Sequence, residues 1–260
     1  MIKWCFSTLG CTDRSLSEVI GIAQQYGISA LEIRGLNGEL NNEKINDFSP
    51  ENALKTKNAF LNSGISPLIL GTSVSFHDEA CFDKNLSDGM RSLQIASRIG
   101  FLGIRVFGNS IVGDEKECIR RVCSGIKELC RFAEPLNISV LLEVHGDFNT
   151  LERILPIVEH CRDSKAFGLI WDVCHTNSAY SDDWKRFYDP LAPYIRHIHL
   201  KDVKGGKHVL PGEGEIPIKE IIEYLTAGGY DSYFSLEWEK HWRRELEDIE
   251  VALDKLIKMF

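Results

Sequence analysis

Eight times along 260 residues a short apolar run is followed by an amphipathic stretch. That alternation is the pattern of strand-then-helix units wound around a parallel sheet. The candidate strands are residues 2–8 (IKWCFST), 30–33 (ALEI), 65–70 (ISPLIL), 102–107 (LGIRVF), 138–144 (ISVLLEV), 167–172 (FGLIWD), 195–200 (IRHIHL) and 232–238 (SYFSLEW). Eight units in a chain of this length predict an α/β fold, a (β/α)8 TIM barrel, with residues 1–260 as a single domain. In the first helix Leu16, Val19, Ile20 and Ala23 repeat at helical spacing, and Ser15 with Glu18 forms a capping box. Leu246, Ile249, Leu253, Leu256 and Phe260 repeat in the same way at the other end, and SDDWKRFYDPLAP supplies the sixth helix. Two longer polar segments, 36–50 and 203–215, each follow a strand, where barrels place their catalytic rim.

Composition narrows the classes of partner. A formal net charge of −8 argues against nucleic acid or an anionic membrane surface and leaves a small neutral or polar substrate. No apolar run approaches the roughly 20 residues of a spanning helix, and MIKWCFSTLG lacks the apolar core of a secretory signal. The eight cysteines are scattered, with no C-x-x-C pair, so reduced thiols in a cytoplasmic protein are expected.

Four strands of the second half end in polar residues that packing alone does not require. They are Glu143 in LLEVHGD, Asp172 in IWDVCH, His199 in HIHLKD and Glu237 in SLEWEK, spaced 29, 27 and 38 residues apart. Each interval is about one strand-helix unit, so the four converge at one end of neighbouring strands. A single carboxylate there is commonly a helix cap. Four in succession, three carboxylates and an imidazole without a thiolate, form a site of mostly hard oxygen ligands suited to Mn²⁺, Mg²⁺ or Co²⁺ better than to structural zinc. A metal would also explain how an apolar strand tolerates Asp172.

With these residues the sequence resembles the xylose isomerase-like barrel superfamily, in its sugar phosphate isomerase/epimerase branch, along essentially the whole chain. LLEVHGDFNT, GLIWDVCHT, YIRHIHLKD, LPGEGEIP and FSLEWE carry the resemblance. It implies that Glu143, Asp172, His199 and Glu237 coordinate one divalent ion, Mn²⁺ foremost, with Mg²⁺, Co²⁺ or Zn²⁺ as alternatives. It also implies that Glu143 and Glu237 are the acid/base pair and that His175 lies near substrate oxygens. One departure follows HIHLKD: the ketose epimerases carry a substrate-binding arginine where this chain has Gly205.

The chemistry expected of such a site is removal of a proton next to a ketone, with a metal-stabilised enediolate as intermediate and a carboxylate as base. Reprotonation at the same carbon epimerises a keto-sugar, and at the adjacent carbon it isomerises it. Loss of a β-hydroxyl instead gives a dehydratase or lyase acting on a keto-inositol or similar cyclic ketone. A third alternative, an endonuclease IV-like phosphodiesterase, needs a basic groove that the net charge disfavours.

Other rim residues have two readings each. Arg105 reaches a substrate carboxylate or phosphate, or orients a metal-bound carboxylate. His145 is a candidate for the metal surroundings or for substrate. Glu32 and His77 are substrate-binding candidates, although Glu32 with Arg34 would also make an internal ion pair. Lys201 and Asp202 are expected to support the metal-bound groups, and His160, His208 and His241 to be solvent-facing or loop residues. A homo-oligomer is compatible with all of this.

Overall fold

The computed structural model describes residues 2–260. Eight parallel strands follow one another in the order β1-β2-β3-β4-β5-β6-β7-β10 and close a barrel, with a separate two-stranded hairpin, β8–β9. The fold class read from the sequence is the fold observed. Contacts divide the chain into two compact units, one made of residues 1–68 and 197–260, the other of 69–196.

The first unit holds β1 (Lys3–Ser7), α1 (Leu16–Gln25), β2 (Ala30–Ile33) and α2 (Ala53–Ser63). The expected capping box starts α1: Glu18 N donates to Ser15 Oγ at 3.4 Å and Ser15 N donates to Glu18 Oε2 at 2.8 Å. All four residues of β2 are buried, Glu32 among them, and Ser7 of β1 pairs with Glu32 in register. β3 (Ser66–Ser75) leads into the second unit, which holds α3 (Phe82–Ile99), β4 (Gly103–Phe107), α4 (Glu115–Ala133), β5 (Ser139–Glu143), α5 (Leu151–Cys161), β6 (Phe167–Asp172), α6 (Val173–Tyr180) and α7 (Trp184–Leu191). Every residue of β6 is buried, which is why its sequence reads as one apolar run ending in Asp172. The segment after it was expected to hold one helix and holds two. Asp172 accepts from Cys174 N at 2.9 Å and His175 N at 3.1 Å, so α6 begins with no intervening loop.

β7 (Ile195–Leu200) leads back into the first unit, which continues with β8 (Asp202–Lys204), β9 (Lys207–Val209), α8 (Ile218–Ala227), β10 (Tyr233–Leu236) and α9 (Ile249–Ile257). Segment 203–215, expected to be a plain loop, contains the hairpin. Its two-residue turn is Gly205–Gly206, at φ +55° and +76°, a conformation that glycine adopts without steric cost. Gly205, which stands where the ketose epimerases carry arginine, is therefore a turn tip.

Asp202 anchors this whole segment. Its carboxylate accepts from the amides of Val203 (2.9 Å), Gly212 (2.9 Å), Gly214 (2.9 Å) and Ile216 (3.1 Å), while Glu215 N donates to Val203 O at 2.8 Å. The chain crosses the carboxylate so closely that a Cβ on Gly214 would sit 2.1 Å from Asp202 Oδ1. Asp202 thus organises the loop, a more specific role than the support of metal-bound groups expected of it.

No helix among the described residues is long and apolar enough to cross a membrane. Asp202→Ala leaves four amides without their charged acceptor and is expected to cost about 3 kcal/mol or more in urea unfolding. Gly214→Ala should open the same segment, read as faster hydrogen exchange at the amides of Gly212 and Ile216.

Candidate metal and proton-transfer site

Glu143 closes β5 and Asp172 closes β6, His199 stands one residue before the end of β7, and Glu237 follows β10 directly. Glu143 and Asp172 belong to the second unit, His199 and Glu237 to the first, and each offers an oxygen or nitrogen donor. All four residues are at most 2% exposed.

In the second unit, Arg105 of β4 reaches Glu143: Nη1 lies 3.0 Å from Oε2. The guanidinium is fixed from its other side, where Nη2 donates to Thr72 O at 3.3 Å and the cation stands 4.4 Å above the Phe107 ring. Of the two roles left open for Arg105, the geometry shows contact with a ligand carboxylate. Asp172 uses Oδ1 as the cap of α6, and its Oδ2 lies 4.0 Å from His175 Nε2. The His145 ring lies tilted beside that of His175, with ring centroids 4.2 Å apart, and 4.9 Å from Phe107. His145 and His175 thus make an imidazole pair at the rim. His77 stands outside the donor groups found among the described residues, and its carbonyl accepts from Arg121 Nη2 at 2.7 Å.

In the first unit, Glu237 N donates to Leu200 O at 3.0 Å, which carries the strand pairing one residue past β10 and sets the side chain. Its Oε1 lies 3.5 Å from His199 Nδ1. Lys201, fully buried, donates to Glu237 Oε2 at 2.6 Å and to Glu239 Oε1 at 2.7 Å. Burial alone would raise the Glu239 carboxyl, but the Lys201 ammonium outweighs it and holds that group below its ordinary value. Glu239 Oε2 also meets His208 Nε2 of the hairpin at 3.7 Å and Arg243 at 3.5 Å. Sequence reasoning missed Glu239 and read His208 as a solvent-facing or loop residue, whereas it lies in the hairpin; the signal available for Glu239 was that it shares strand parity with Glu237. His241 bonds Thr12 Oγ1 at 2.7 Å, and burial, then Arg244 and Arg34, push its imidazole down. Glu32, a substrate candidate from the sequence, lies against His199 and His197: Oε2 is 2.8 Å from His199 Nε2 and 3.4 Å from His197 Nε2.

The sequence model of the xylose isomerase-like TIM barrels matches residues 20–259. The chain belongs to that family. Among curated relatives it is 24% identical over 124 residues to fructoselysine 3-epimerase of Escherichia coli O157:H7, covering 45% of this chain and 44% of that protein. It is 27% identical over 137 residues to inosose dehydratase of Geobacillus thermodenitrificans, covering 45% of each. The chain therefore matches less than half the length of these relatives. Among solved structures, the probable 3-DHS dehydratase AsbF of Bacillus anthracis superposes with a TM-score of 0.81 at 18% identity, over 98% of this chain and 99% of that one. The IolI protein with a bound zinc atom gives 0.79 at 19% identity, over 99% and 96%. At these identities the two structures speak to the fold.

Three buried carboxylates are costly unless positive charge meets them, and with one imidazole they offer the donor chemistry of a divalent cation. The residues fit such an ion. Binding to the folded chain alone adds stability by mass action. A free ion concentration of about 100 times its Kd should raise unfolding stability by roughly 2.7 kcal/mol, and a chelator should remove that increment in a thermal melt.

Proposed function

We propose that this protein is a divalent-metal-dependent isomerase or epimerase of a keto-sugar or related polyol ketone, working by proton abstraction next to the carbonyl. The observation that carries this reading is the pairing of two buried strand-end glutamates with two separate buried cations: Glu143 with Arg105, Glu237 with Lys201. A cation at ion-pair distance stabilises the charged carboxylate, the form that accepts a proton. The bound ion supplies Lewis-acid polarisation of the ketone oxygen, and Mn²⁺ suits three oxygen donors and one nitrogen.

The chain does the rest. One glutamate takes the proton from the carbon beside the carbonyl, leaving an enediolate. Return from the other glutamate to the opposite face of that carbon inverts it, whereas return to the neighbouring carbon moves the carbonyl. Arg105 and Lys201 hold the two carboxylates in place throughout, and the imidazoles of His145 and His175 are placed to donate hydrogen bonds to substrate hydroxyls. The small polar substrate agrees with a net charge of −8, which disfavours a nucleic-acid partner.

A second reading, dehydration of a cyclic ketone such as a keto-inositol, draws on one feature. Gly205, in the hairpin turn, leaves this chain without the arginine by which ketose epimerases bind their open-chain substrates. Inosose dehydratase is also among its relatives.

Proton NMR in D₂O with Mn²⁺ replaced by Mg²⁺, across ketoses, ketose phosphates, keto-acids and inososes, is expected to show deuterium entering next to the carbonyl of one class. Product mass separates the two readings, because only dehydration loses water. Glu237→Gln should lower kcat by roughly 10³-fold with the ion still bound by metal analysis. Near-normal turnover in that variant removes Glu237 from proton transfer.

A further inference from the structure

Glu32 is a carboxylate buried at the end of a short strand, with no place among the four donors. Its Oε2 is approached by two imidazoles of β7, His199 Nε2 at 2.8 Å and His197 Nε2 at 3.4 Å. The two rings are almost perpendicular, at 84°, with centroids 5.4 Å apart. One oxygen therefore meets two ring edges from different directions.

That contact decides which nitrogen of His199 can serve an ion. A neutral imidazole carries one proton, on one nitrogen, and presents a lone pair on the other. A carboxylate oxygen at 2.8 Å accepts; it repels a second lone pair. The proton belongs on Nε2, and the lone pair then lies on Nδ1. Nδ1 is the nitrogen that faces the donor group, 3.5 Å from Glu237 Oε1. The opposite tautomer would turn an N–H toward the ion and a lone pair toward Glu32, losing both interactions.

On the strength of the metal-dependent reading, we infer that Glu32 is a positioning residue: it holds His199 in the Nε2–H tautomer and orients the ring so that Nδ1 serves as the metal ligand. His197 makes the second contact to Glu32 Oε2 and keeps that oxygen from rotating away. Glu32 touches neither the substrate nor the ion in this account, and its effect on turnover passes through His199.

Two measurements test it. Long-range ¹H–¹⁵N spectra of the ion-free wild-type protein, with His199 assigned by comparison with His199→Gln, are expected to show Nε2 protonated and Nδ1 bare. Mn²⁺ titration, read by the loss of the free-ion EPR signal, is expected to give Glu32→Leu an affinity about 10–100-fold below wild type. Glu32→Gln, which keeps an acceptor oxygen, should recover part of that loss, a rescue that simple filling of space would not produce. A wild-type His199 protonated on Nδ1 overturns the inference without any variant. So does wild-type Mn²⁺ affinity in a folded Glu32→Leu. A wild-type chain that binds no ion overturns the functional reading itself. Wild-type protein that binds Mn²⁺ with a Glu32-dependent affinity yet exchanges no substrate proton overturns the proton-transfer chemistry and leaves the role of Glu32 standing.

Discussion

The cost of burying carboxylates governs the arrangement around them. Glu143, Asp172 and Glu237 are each at most 2% exposed, and a charge taken out of water is costly unless it is paired or hydrogen-bonded. The chain answers each carboxylate differently. Glu143 receives a guanidinium, a planar and permanently charged fork held by Thr72 and Phe107. Glu237 receives an ammonium shared with a second carboxylate, Glu239. Asp172 receives two backbone amides and the positive end of α6.

The three answers leave the glutamates unequal. Arg105 is enclosed by protein and its charge is permanent. Lys201 belongs to a chain of polar contacts that runs through Glu239 to His208 on the hairpin, and Glu239 is partly open to solvent. The carboxylate at the end of β10 is thus tied to the loop over the rim, and the one at the end of β5 is tied to the neighbouring strand. A pair with identical chemistry is embedded in two different surroundings.

Regular burial is what made the fold legible. Residues 30–33, 167–172 and 195–200 are strands over those same residues, because each is nearly or wholly buried and bounded by polar turns. β3 runs five residues beyond its expected end, since polar Thr72 and Ser73 interrupt the apolar pattern without ending the pairing. α6 escaped notice because Asp172 is cap and candidate ligand at once, functions that sequence reasoning had set against each other. The hairpin was hidden by its brevity: three residues a side around Gly205–Gly206 carry no periodicity. The strand-end positions of Glu143, Asp172, His199 and Glu237 were legible because their spacing repeats. The contacts of Glu32 with His199 and of Lys201 with Glu239 were not, since strand parity gives the face a residue occupies and leaves its partner undetermined.

The anchor at Asp202 separates how the rim segment is held from what it displays. One carboxylate gathers the amides of Val203, Gly212, Gly214 and Ile216, so the fixed part consists of backbone and one side chain. Residues 204–211 lie between the first two of those amides, outside the knot itself. A family that keeps such an anchor can exchange substrates by grafting new tips onto an unchanged stem, and evolution of specificity there becomes a matter of replacing one cassette.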